Sequence, residues 1–361
     1  MSVLLDFLRL FAAIAVFLGH SKFYWFFDGY SDGIGPQNGQ DYVIVFFVLS
    51  GFVIAWSIDR KKDYHINQYL FDRLTRLWSI VIPALILGFI LDRFGKNLHP
   101  DTYRMILTEN HLNLKYIISG LFLHESWFFS IRPGSNGPFW SLSYEFFYYF
   151  IFGAVALLPT IKTKVVGALT CILIAGPKIL LLMPCWLLGC VSYYLCKKYT
   201  FRKTVSVLLL FLSGYFLVDL ISARWSYWNP QLHEGLGSYP LFYSAKFLDD
   251  YILALLISCF LVSINSWLSI NDKPSSFFAK VVQKSAGCTF SLYAVHFPFM
   301  AFMAALSASG SLPFLNYENA LVSVFLLCLV FALFFEYPLK KFRVGVLKIL
   351  PLLSRKCGIQ S

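Results

Sequence analysis

Charged side chains are scarce in this 361-residue chain. Asp, Glu, Lys and Arg make up 14% of the residues, whereas 58% are hydrophobic and 19% are aromatic. Because soluble domains carry about 25% charged residues, this composition excludes an ordinary soluble enzyme. Apolar stretches of about 18 to 22 residues recur along the chain, each long enough to cross a hydrocarbon core of about 30 Å as a helix. The sequence predicts an integral membrane protein.

Cysteine patterns that signal crosslinks or metals are missing as well. The eight cysteines include no Cys-x-x-Cys pair, and all of them fall in predicted spans or in segments predicted to be cytoplasmic. The sequence therefore predicts neither a disulfide framework nor a metal site. The N-terminus has no basic segment followed by a small-residue cleavage site, so the first apolar stretch is expected to be a retained span.

Ten apolar stretches predict an all-α fold, a polytopic membrane bundle of about ten transmembrane helices. They are Val3–Ser21, Tyr42–Ile58, Leu77–Leu91, Phe139–Leu158, Val165–Pro177, Ile179–Leu195, Val205–Ile221, Asp250–Trp267, Gly287–Leu306 and Ala320–Tyr337. We expect one membrane domain over residues 1–340 and a basic cytoplasmic tail over 341–361.

The net charge of +11 raises the question of a nucleic-acid partner, and the placement of Lys and Arg argues against one. Most of these residues fall in alternate loops and in the tail. By the positive-inside rule, this pattern places those loops and both termini in the cytoplasm. The loop residues are Arg60, Lys61, Lys62, Arg73, Arg76, Lys162, Lys164, Lys197, Lys198, Arg202, Lys203, Lys273, Lys280 and Lys284, and the tail adds Lys340, Lys341, Arg343, Lys348, Arg355 and Lys356.

Two long segments are predicted to face outward. The first, Asp92 to Pro138, is rich in His and aromatic residues and ends in "IRPGSNGPFWSLSYEFFYY", where Pro and Gly predict a turn before the fourth span. The second, Ser222 to Asp249, carries aromatic residues that fit either an interfacial belt or a surface for stacking sugars. The segment contains Trp225, Tyr227, Trp228, His233, Tyr239 and Tyr243, among other aromatic residues.

Two ionisable residues interrupt the first span, "DFLRLFAAIAVFLGH". Arg9 and His20 are 11 residues apart, so a helix presents both on one face, about 16 Å apart along its axis. A buried arginine costs at least about 2.5 kcal/mol in lipid and therefore usually faces a partner or a hydrated cavity. The pair predicts a site for an elongated ligand; the alternative is that Arg9 reaches the inner headgroups while His20 caps the outer end.

Further polar residues lie within later spans. Glu145 and His296 fall inside the fourth and ninth spans, and Glu336 falls at the inner end of the tenth. A buried carboxylate must be protonated or paired with a cation, for which Arg9 and the histidines are candidates. Each residue alone fits a structural polar pair as well as a catalytic role. Together, in separate spans, they indicate a site.

Two further motifs have double interpretations. Ser50 and Gly51, in "FFVLSGFVIAW", allow the close approach of either a ligand or a second helix. Arg73 and Arg76, in "DRLTRLW", would present two guanidinium groups on one helical face, suited to phosphate oxygens. The alternative is that the two arginines only anchor the cytoplasmic end of the helix, as the positive-inside rule describes.

In combination, these motifs resemble the acyltransferase 3 family of membrane acyltransferases, which modify bacterial surface glycans and related molecules. The resemblance rests on "LDFLRLFAAIAVFLGH", "VFFVLSGFVI", "DRLTRLW", "PFWSLSYEFFYY", "SLYAVHFP" and "FEYPLKKF", and it covers essentially the whole chain. The chain differs from the family in having Asp72 where a second basic residue often precedes Arg73, and in having no proline after that motif until Pro83.

The resemblance implies acetyl-CoA or another acyl-CoA as the donor, no metal, and an acceptor hydroxyl on a cell-surface polysaccharide or lipid-linked sugar. It implies the following roles: His20, Arg9, Glu145 and Glu336 in catalysis, Arg73, Arg76 and Ser50 in donor binding, and Trp140 and His296 in substrate binding. His20 would act as a general base or be acylated itself.

The location implied is a bacterial inner membrane. Two other classes remain open. In a transporter or translocase of sugar- or lipid-linked substrates, the same residues would form an ion or proton path; in a structural subunit, they would join helices.

Overall fold

The computed structural model describes residues 2–23, 25–27, 39–61, 63–107, 112–223, 240–270 and 276–349. Every regular element within these ranges is helical, which confirms the all-α prediction. The α-helices are α1 (Ser2–His20), α2 (Gly39–Arg60), α3 (Ile66–Leu98), α4 (Pro100–Ile106), α5 (Leu112–Gly120), α6 (Trp140–Leu157), α7 (Ile161–Ala175), α8 (Pro177–Lys198), α9 (Lys203–Ala223), α10 (Phe247–Ile270), α11 (Ser276–Ala286), α12 (Thr289–Ala308), α13 (Tyr317–Phe335) and α14 (Leu339–Ile349).

Several residues singled out in the sequence lie outside the described residues. They are Lys62, Trp225, Tyr227, Trp228, His233, Tyr239, Lys273, Arg355 and Lys356.

Seven of the described helices are long and apolar enough to cross a membrane, so the predicted number of about ten is not confirmed. They are α1, α2, α3, α8, α10, α12 and α13. The predicted fourth span, α6, begins with polar residues that include Ser141, Ser143 and Glu145. The predicted fifth, α7, has only 15 residues, fewer than the roughly 17 needed to span. In α9 the apolar stretch is Lys203–Val218, which is shorter than each of the seven candidate spans.

One compact unit is formed by the described residues of Met1–Val16, Asn38–Asp63 and Ala175–Ala286. Its centre is the contact between α2 and α8, on which α10 also packs. Gly51 and Gly189 lie at this crossing, where the backbone of each helix touches the other. Small residues permit such close packing between membrane helices.

The second unit comprises the described residues of Phe17–Gln37, Tyr64–Ile174 and Gly287–Ser361. Its central helix is α12, which packs against α3, α4 and α13. It is the most deeply buried of the seven candidate spans, with 78% of an 18-residue apolar stretch buried. Ala294, Ala301 and Ala305 lie on α12 and are fully buried or nearly so. The helix therefore holds its side chains, including His296, in a fixed environment.

Candidate active site

The end of α1 meets the middle of α12 through two histidines in the second unit. Nδ1 of His20 lies 2.8 Å from Nε2 of His296, and the two rings are nearly parallel, with an angle of 7° between their planes. His296 is fully buried, whereas His20 is partly exposed. Residues 276 positions apart in the sequence thus form one imidazole pair.

The other ring nitrogen of His296 faces its own helix. Nδ1 lies 2.8 Å from the carbonyl oxygen of Leu292 and 3.0 Å from that of Tyr293. Both nitrogens of His296 are therefore engaged by protein atoms. The role of His296 in substrate binding stays a prediction.

A proline close to His296 leaves one backbone carbonyl of α12 without its helical hydrogen bond. Pro298 has no N–H, so the carbonyl of Ala294, four residues earlier, lacks its usual helical donor. The side chain of Asn136 donates to that carbonyl through Nδ2, at 2.8 Å. The "SNG" turn, which precedes α6, is therefore fixed to α12 two residues before His296.

The same turn is fixed from its other side by a buried carboxylate. Asp92 accepts hydrogen bonds through Oδ2 from the Tyr116 hydroxyl at 2.6 Å and from the Ser135 backbone N–H at 2.8 Å. Gly134 has a φ of +60°, and a Cβ there would lie 1.9 Å from Oδ2 of Asp92. Only glycine fits this position, which accounts for the Pro-Gly sequence before the turn.

The start of α6 carries Trp140 and is joined to α12. The Tyr293 hydroxyl donates to the Pro138 carbonyl at 2.5 Å and lies 2.6 Å from the Ser141 hydroxyl. Trp140 is buried, edge-on to Tyr144 with ring centroids 5.1 Å apart. The structure therefore places Trp140 in the same unit as the histidine pair, and its role in substrate binding stays a prediction.

Aromatic side chains surround His20. Phe23 stacks on the imidazole with ring centroids 5.6 Å apart, and Trp25 stacks on Phe23 at 6.1 Å. Phe297 contacts both the imidazole and Trp25. Phe23 is 45% exposed, so the partly exposed face of the site is aromatic.

The two predicted catalytic glutamates have other partners. Glu145 accepts a hydrogen bond from the Tyr149 hydroxyl, one turn along α6. Glu336 ends α13 and accepts from the backbone N–H groups of Ser291 at 2.8 Å and Phe290 at 3.3 Å. It thereby satisfies free N–H groups at the start of α12. Burial raises the pKa of Glu336, and the charge of Arg76 opposes this shift.

Within the described residues, the hydrogen-bond partner of His20 is thus an imidazole and not one of these carboxylates. The catalytic roles of Glu145 and Glu336 stay predictions.

Arg73 and Arg76 lie near the start of α3, so "DRLTRLW" is helical as predicted. Arg76 is exposed, and the guanidinium of Arg73 lies 5.9 Å from the centroid of the Tyr69 ring. A third guanidinium joins them from α14. Nε of Arg343 donates to the Thr75 hydroxyl at 3.0 Å.

Arg343 also contacts Asp72, the residue at which the chain differs from the family pattern. Its Nη2 donates to the Asp72 carbonyl at 2.8 Å, and Nη1 lies 3.5 Å from Oδ1 of Asp72. Burial lowers the pKa of Arg343; Asp72 opposes this shift, and Arg73 and Arg76 add to it. Three guanidinium groups therefore lie within electrostatic range of one another, an arrangement that favours anion binding.

The remaining predicted residues lie in the first unit. Arg9 forms an i,i+3 ion pair with Asp6 at 3.8 Å. The hydroxyl of Ser50 is 3.2 Å from Nε1 of Trp186, which donates to it. This contact, beside Gly51, matches the helix-packing interpretation of the motif. The role of Ser50 in donor binding stays a prediction.

Residues that the sequence did not single out for this site include Arg343 and Asn136. Arg343 was already explained as one of the basic residues of the positive-inside pattern, and nothing in the sequence indicated that it lies near Arg73. The turn signal around Asn136 was visible, and so was Pro298, but nothing local to either residue indicated that they act on the same stretch of α12.

Helices able to span a membrane and a buried polar centre define a multi-pass membrane protein with a candidate enzymatic site. Residues 3–339 match the acyltransferase 3 family, described as an acyltransferase domain, and the chain belongs to that family. The resemblance inferred from the motifs is thereby confirmed, and the family supports acyltransferase activity.

One curated relative is the acyltransferase MdmB of Streptomyces mycarofaciens, which is 33% identical over 152 residues. The match covers 40% of the present chain and 36% of that relative, so the chain spans little more than a third of its length. No solved structure matches the chain.

Proposed function

We propose that this protein is a membrane O-acyltransferase. It transfers an acetyl group from cytoplasmic acetyl-CoA to a hydroxyl of a cell-surface polysaccharide or lipid-linked sugar, in a bacterial inner membrane with both termini cytoplasmic. The observation that carries the proposal is the contact of His20 with His296, in the same unit as three clustered arginines. Family membership supplies the reaction class.

The donor's phosphates would bind at Arg73, Arg76 and Arg343. Clustered guanidiniums repel one another, and an anion bound among them relieves that repulsion. Guanidinium groups also match phosphate oxygens with two parallel hydrogen bonds. Asp72 partly neutralises the cluster, and Arg343 supplies the additional cation that the family pattern otherwise places beside Arg73.

The distance between the two ends of the site suits the donor. Arg76 acts electrostatically on Glu336, which binds the N–H of Ser291. His296 lies five residues further along α12, a rise of about 8 Å. The pantetheine arm of CoA extends to somewhat under about 20 Å. A donor held at the arginines could therefore present its thioester at the histidine pair.

The chemistry would take place at Nε2 of His20, the nitrogen not bonded to His296. In the base route, Nε2 removes the proton of the acceptor hydroxyl, the oxygen attacks the thioester carbonyl carbon, and the C–S bond breaks. The departing CoA thiolate then takes the proton from Nε2. In the nucleophilic route, Nε2 attacks the thioester carbonyl carbon, the C–S bond breaks and CoA leaves as the thiolate. The acceptor oxygen then attacks the acetyl carbon, the bond to Nε2 breaks, and the hydroxyl proton passes to the thiolate. A mass increase of one acetyl group on His20 after donor-only incubation would identify this route.

The acceptor would approach past Phe23, whose exposed ring stacks on His20. Aromatic faces stack on the apolar faces of sugar rings, and Trp140 is the second candidate contact. For Arg9, which lies in the first unit, the proposed role is to stabilise developing negative charge or a phosphate.

Binding of CoA to the detergent-purified protein tests the donor site. We expect Arg76→Ala to weaken CoA binding at least about tenfold, because a hydrogen bond to a charged group contributes about 1.5–3 kcal/mol. Arg104→Ala is the matched control, since Arg104 is a highly exposed arginine paired with Asp101 at 2.7 Å. Absence of CoA binding by the unmodified protein would favour a transporter or structural subunit.

Mass spectrometry of surface glycans tests the acceptor. Cells that carry the chain should show an acetyl mass that cells without it lack, and cells with His20→Asn should resemble the latter. If the glycans are identical in all three strains, the glycan assignment is wrong, even where CoA binding is retained.

A further inference from the structure

We propose that His296 is a positioning residue that fixes the tautomer of His20, so that Nε2 of His20 carries the lone pair used in acyl transfer. This inference rests on the proposed function and assigns His296 a task other than contact with substrate. It is built from three hydrogen bonds, all within the second unit.

The first step concerns the hydrogen on His296. Nδ1 of His296 lies within hydrogen-bond distance of two carbonyl oxygens, those of Leu292 and Tyr293. Carbonyl oxygens only accept hydrogen bonds. Nδ1 must therefore carry the hydrogen, and in the neutral ring Nε2 then carries the lone pair.

The second step transfers this constraint to His20. A lone pair on Nε2 of His296 can only accept, so the 2.8 Å contact requires a hydrogen on Nδ1 of His20. A neutral imidazole has one N–H, so Nε2 of His20 is left with the lone pair. Because Nε2 has no hydrogen-bond partner among the described residues, it is available to a substrate hydroxyl or thioester.

The surroundings hold this arrangement in place. The two imidazole planes differ by 7°, and nearly parallel planes suit a hydrogen bond between ring nitrogens, which lies close to the plane of each ring. His296 is fully buried and Phe17 packs edge-on against its ring at 6.1 Å. Asn136 fixes the neighbouring backbone at Ala294. Rotation of His296 would break two hydrogen bonds to its own helix.

In many enzymes a carboxylate orients the catalytic imidazole and selects its tautomer. Here neither ring has a carboxylate hydrogen-bond partner within the described part of the chain. A neutral histidine whose own tautomer is set by helix carbonyls can provide the same selection without placing a negative charge among apolar helices. The orienting group is therefore His296.

Two substitutions at His296 distinguish a positioning role from a purely structural role. In His296→Gln, the side-chain oxygen can accept from Nδ1–H of His20, which retains the constraint. His296→Leu fills similar space without an acceptor. His124→Gln is the control, because His124 is also fully buried in the second unit. Each variant is compared in membranes for transfer of radiolabel from acetyl-CoA to the lipid and glycan fractions, with kcat and KM for acetyl-CoA.

The second readout is nitrogen NMR of protein labelled in the histidine rings, in which protonated and lone-pair nitrogens have well-separated shifts. The chain has seven histidines, and the signals absent from His20→Asn identify those of His20. We expect a protonated Nδ1 and a lone-pair Nε2 in the unmodified protein, in His296→Gln and in His124→Gln. In His296→Leu we expect a mixture of tautomers and a kcat lower by about 10²-fold, with KM for acetyl-CoA unchanged.

Two results would overturn the inference. One is a His296→Leu variant that keeps both the tautomer and kcat. The other is a His296→Gln variant that keeps the tautomer and thermal stability yet is as inactive as His296→Leu, which would make His296 a direct participant. Failure of the proposed function is a separate result: membranes with the unmodified protein would then transfer no more label from acetyl-CoA than membranes without it.

Discussion

The crossing of α2 and α8 yields a quantitative prediction. A Cβ on Gly51 would lie 1.9 Å from the carbonyl oxygen of Trp186, and a Cβ on Gly189 would lie 1.9 Å from that of Val48. Even close C···O contacts need about 3.3 Å. Gly51→Ala therefore requires the two backbones to separate locally by about 1.4 Å.

The energetic cost follows from what that separation disrupts. Overpacking a tight core costs about 1–3 kcal/mol. The same movement strains two contacts of 3.2 Å, from Nε1 of Trp186 to the Ser50 hydroxyl and from Sγ of Cys190 to the Gly51 carbonyl, and a hydrogen bond contributes about 0.5–1.5 kcal/mol. We expect Gly51→Ala to lower the free energy of unfolding by about 3 kcal/mol, roughly 100-fold in the folded-to-unfolded ratio.

Thermal unfolding of the detergent-purified protein measures this effect. Gly214→Ala is the matched control, because a Cβ at Gly214 on α9 would have no atom within 4 Å. Alanine is the better helix former by up to about 1 kcal/mol, so this control should be neutral or stabilising. Equal shifts in Tm for the two variants would refute the close-packed crossing and would reopen Ser50–Gly51 as a ligand contact.

Three further predictions concern the second unit. Arg343→Ala should raise KM for acetyl-CoA about tenfold or more while Arg343→Lys has a smaller effect; an unchanged KM in Arg343→Ala removes Arg343 from the donor site. Burial raises the pKa of Glu336 above its ordinary value of 4.5, so the folded protein holds a proton at Glu336 more tightly than the unfolded chain does. The free energy of unfolding therefore falls as pH rises from 4.5 through the raised pKa. Glu336→Gln should flatten that part of the pH–Tm curve, and an unaltered curve would contradict it. Asn136→Ala leaves the Ala294 carbonyl without its donor, whereas Pro298→Ala restores a helical N–H. In Tm measurements the double variant should therefore be more stable than the two single effects predict, by about 0.5–1.5 kcal/mol, and strict additivity would show that Asn136 does not replace the missing helical bond.

The parts of the fold that depend on local pattern were predictable. The apolar stretch that became α1 was visible with Arg9 and His20 inside it, and "DRLTRLW" was recognisable as helical. The number of spans was less accessible, because residues such as Glu145 make α6 less apolar than a typical span. A helix of this kind can be stabilised by neighbouring helices, which hydropathy along one segment does not register.

The candidate site was predictable as a set of residues and not as a set of contacts. An ionisable residue inside an apolar span is conspicuous, so His20 and His296 were both identified. Their direct contact depends on how α1 packs on α12, which no short stretch encodes. The sequence offered the carboxylates as partners for the histidines, but Glu336 accepts a hydrogen bond from the start of α12.

The central claim is that Nε2 of His20 carries out acyl transfer. Its most direct test is the initial rate of acetyl transfer from acetyl-CoA in membranes that contain equal amounts of folded wild-type protein, His20→Asn and His65→Asn, where His65 is an exposed histidine at the start of α3. We expect His20→Asn to lower the rate at least about 10²-fold and His65→Asn to leave it unchanged. A wild-type rate in folded His20→Asn would contradict the account.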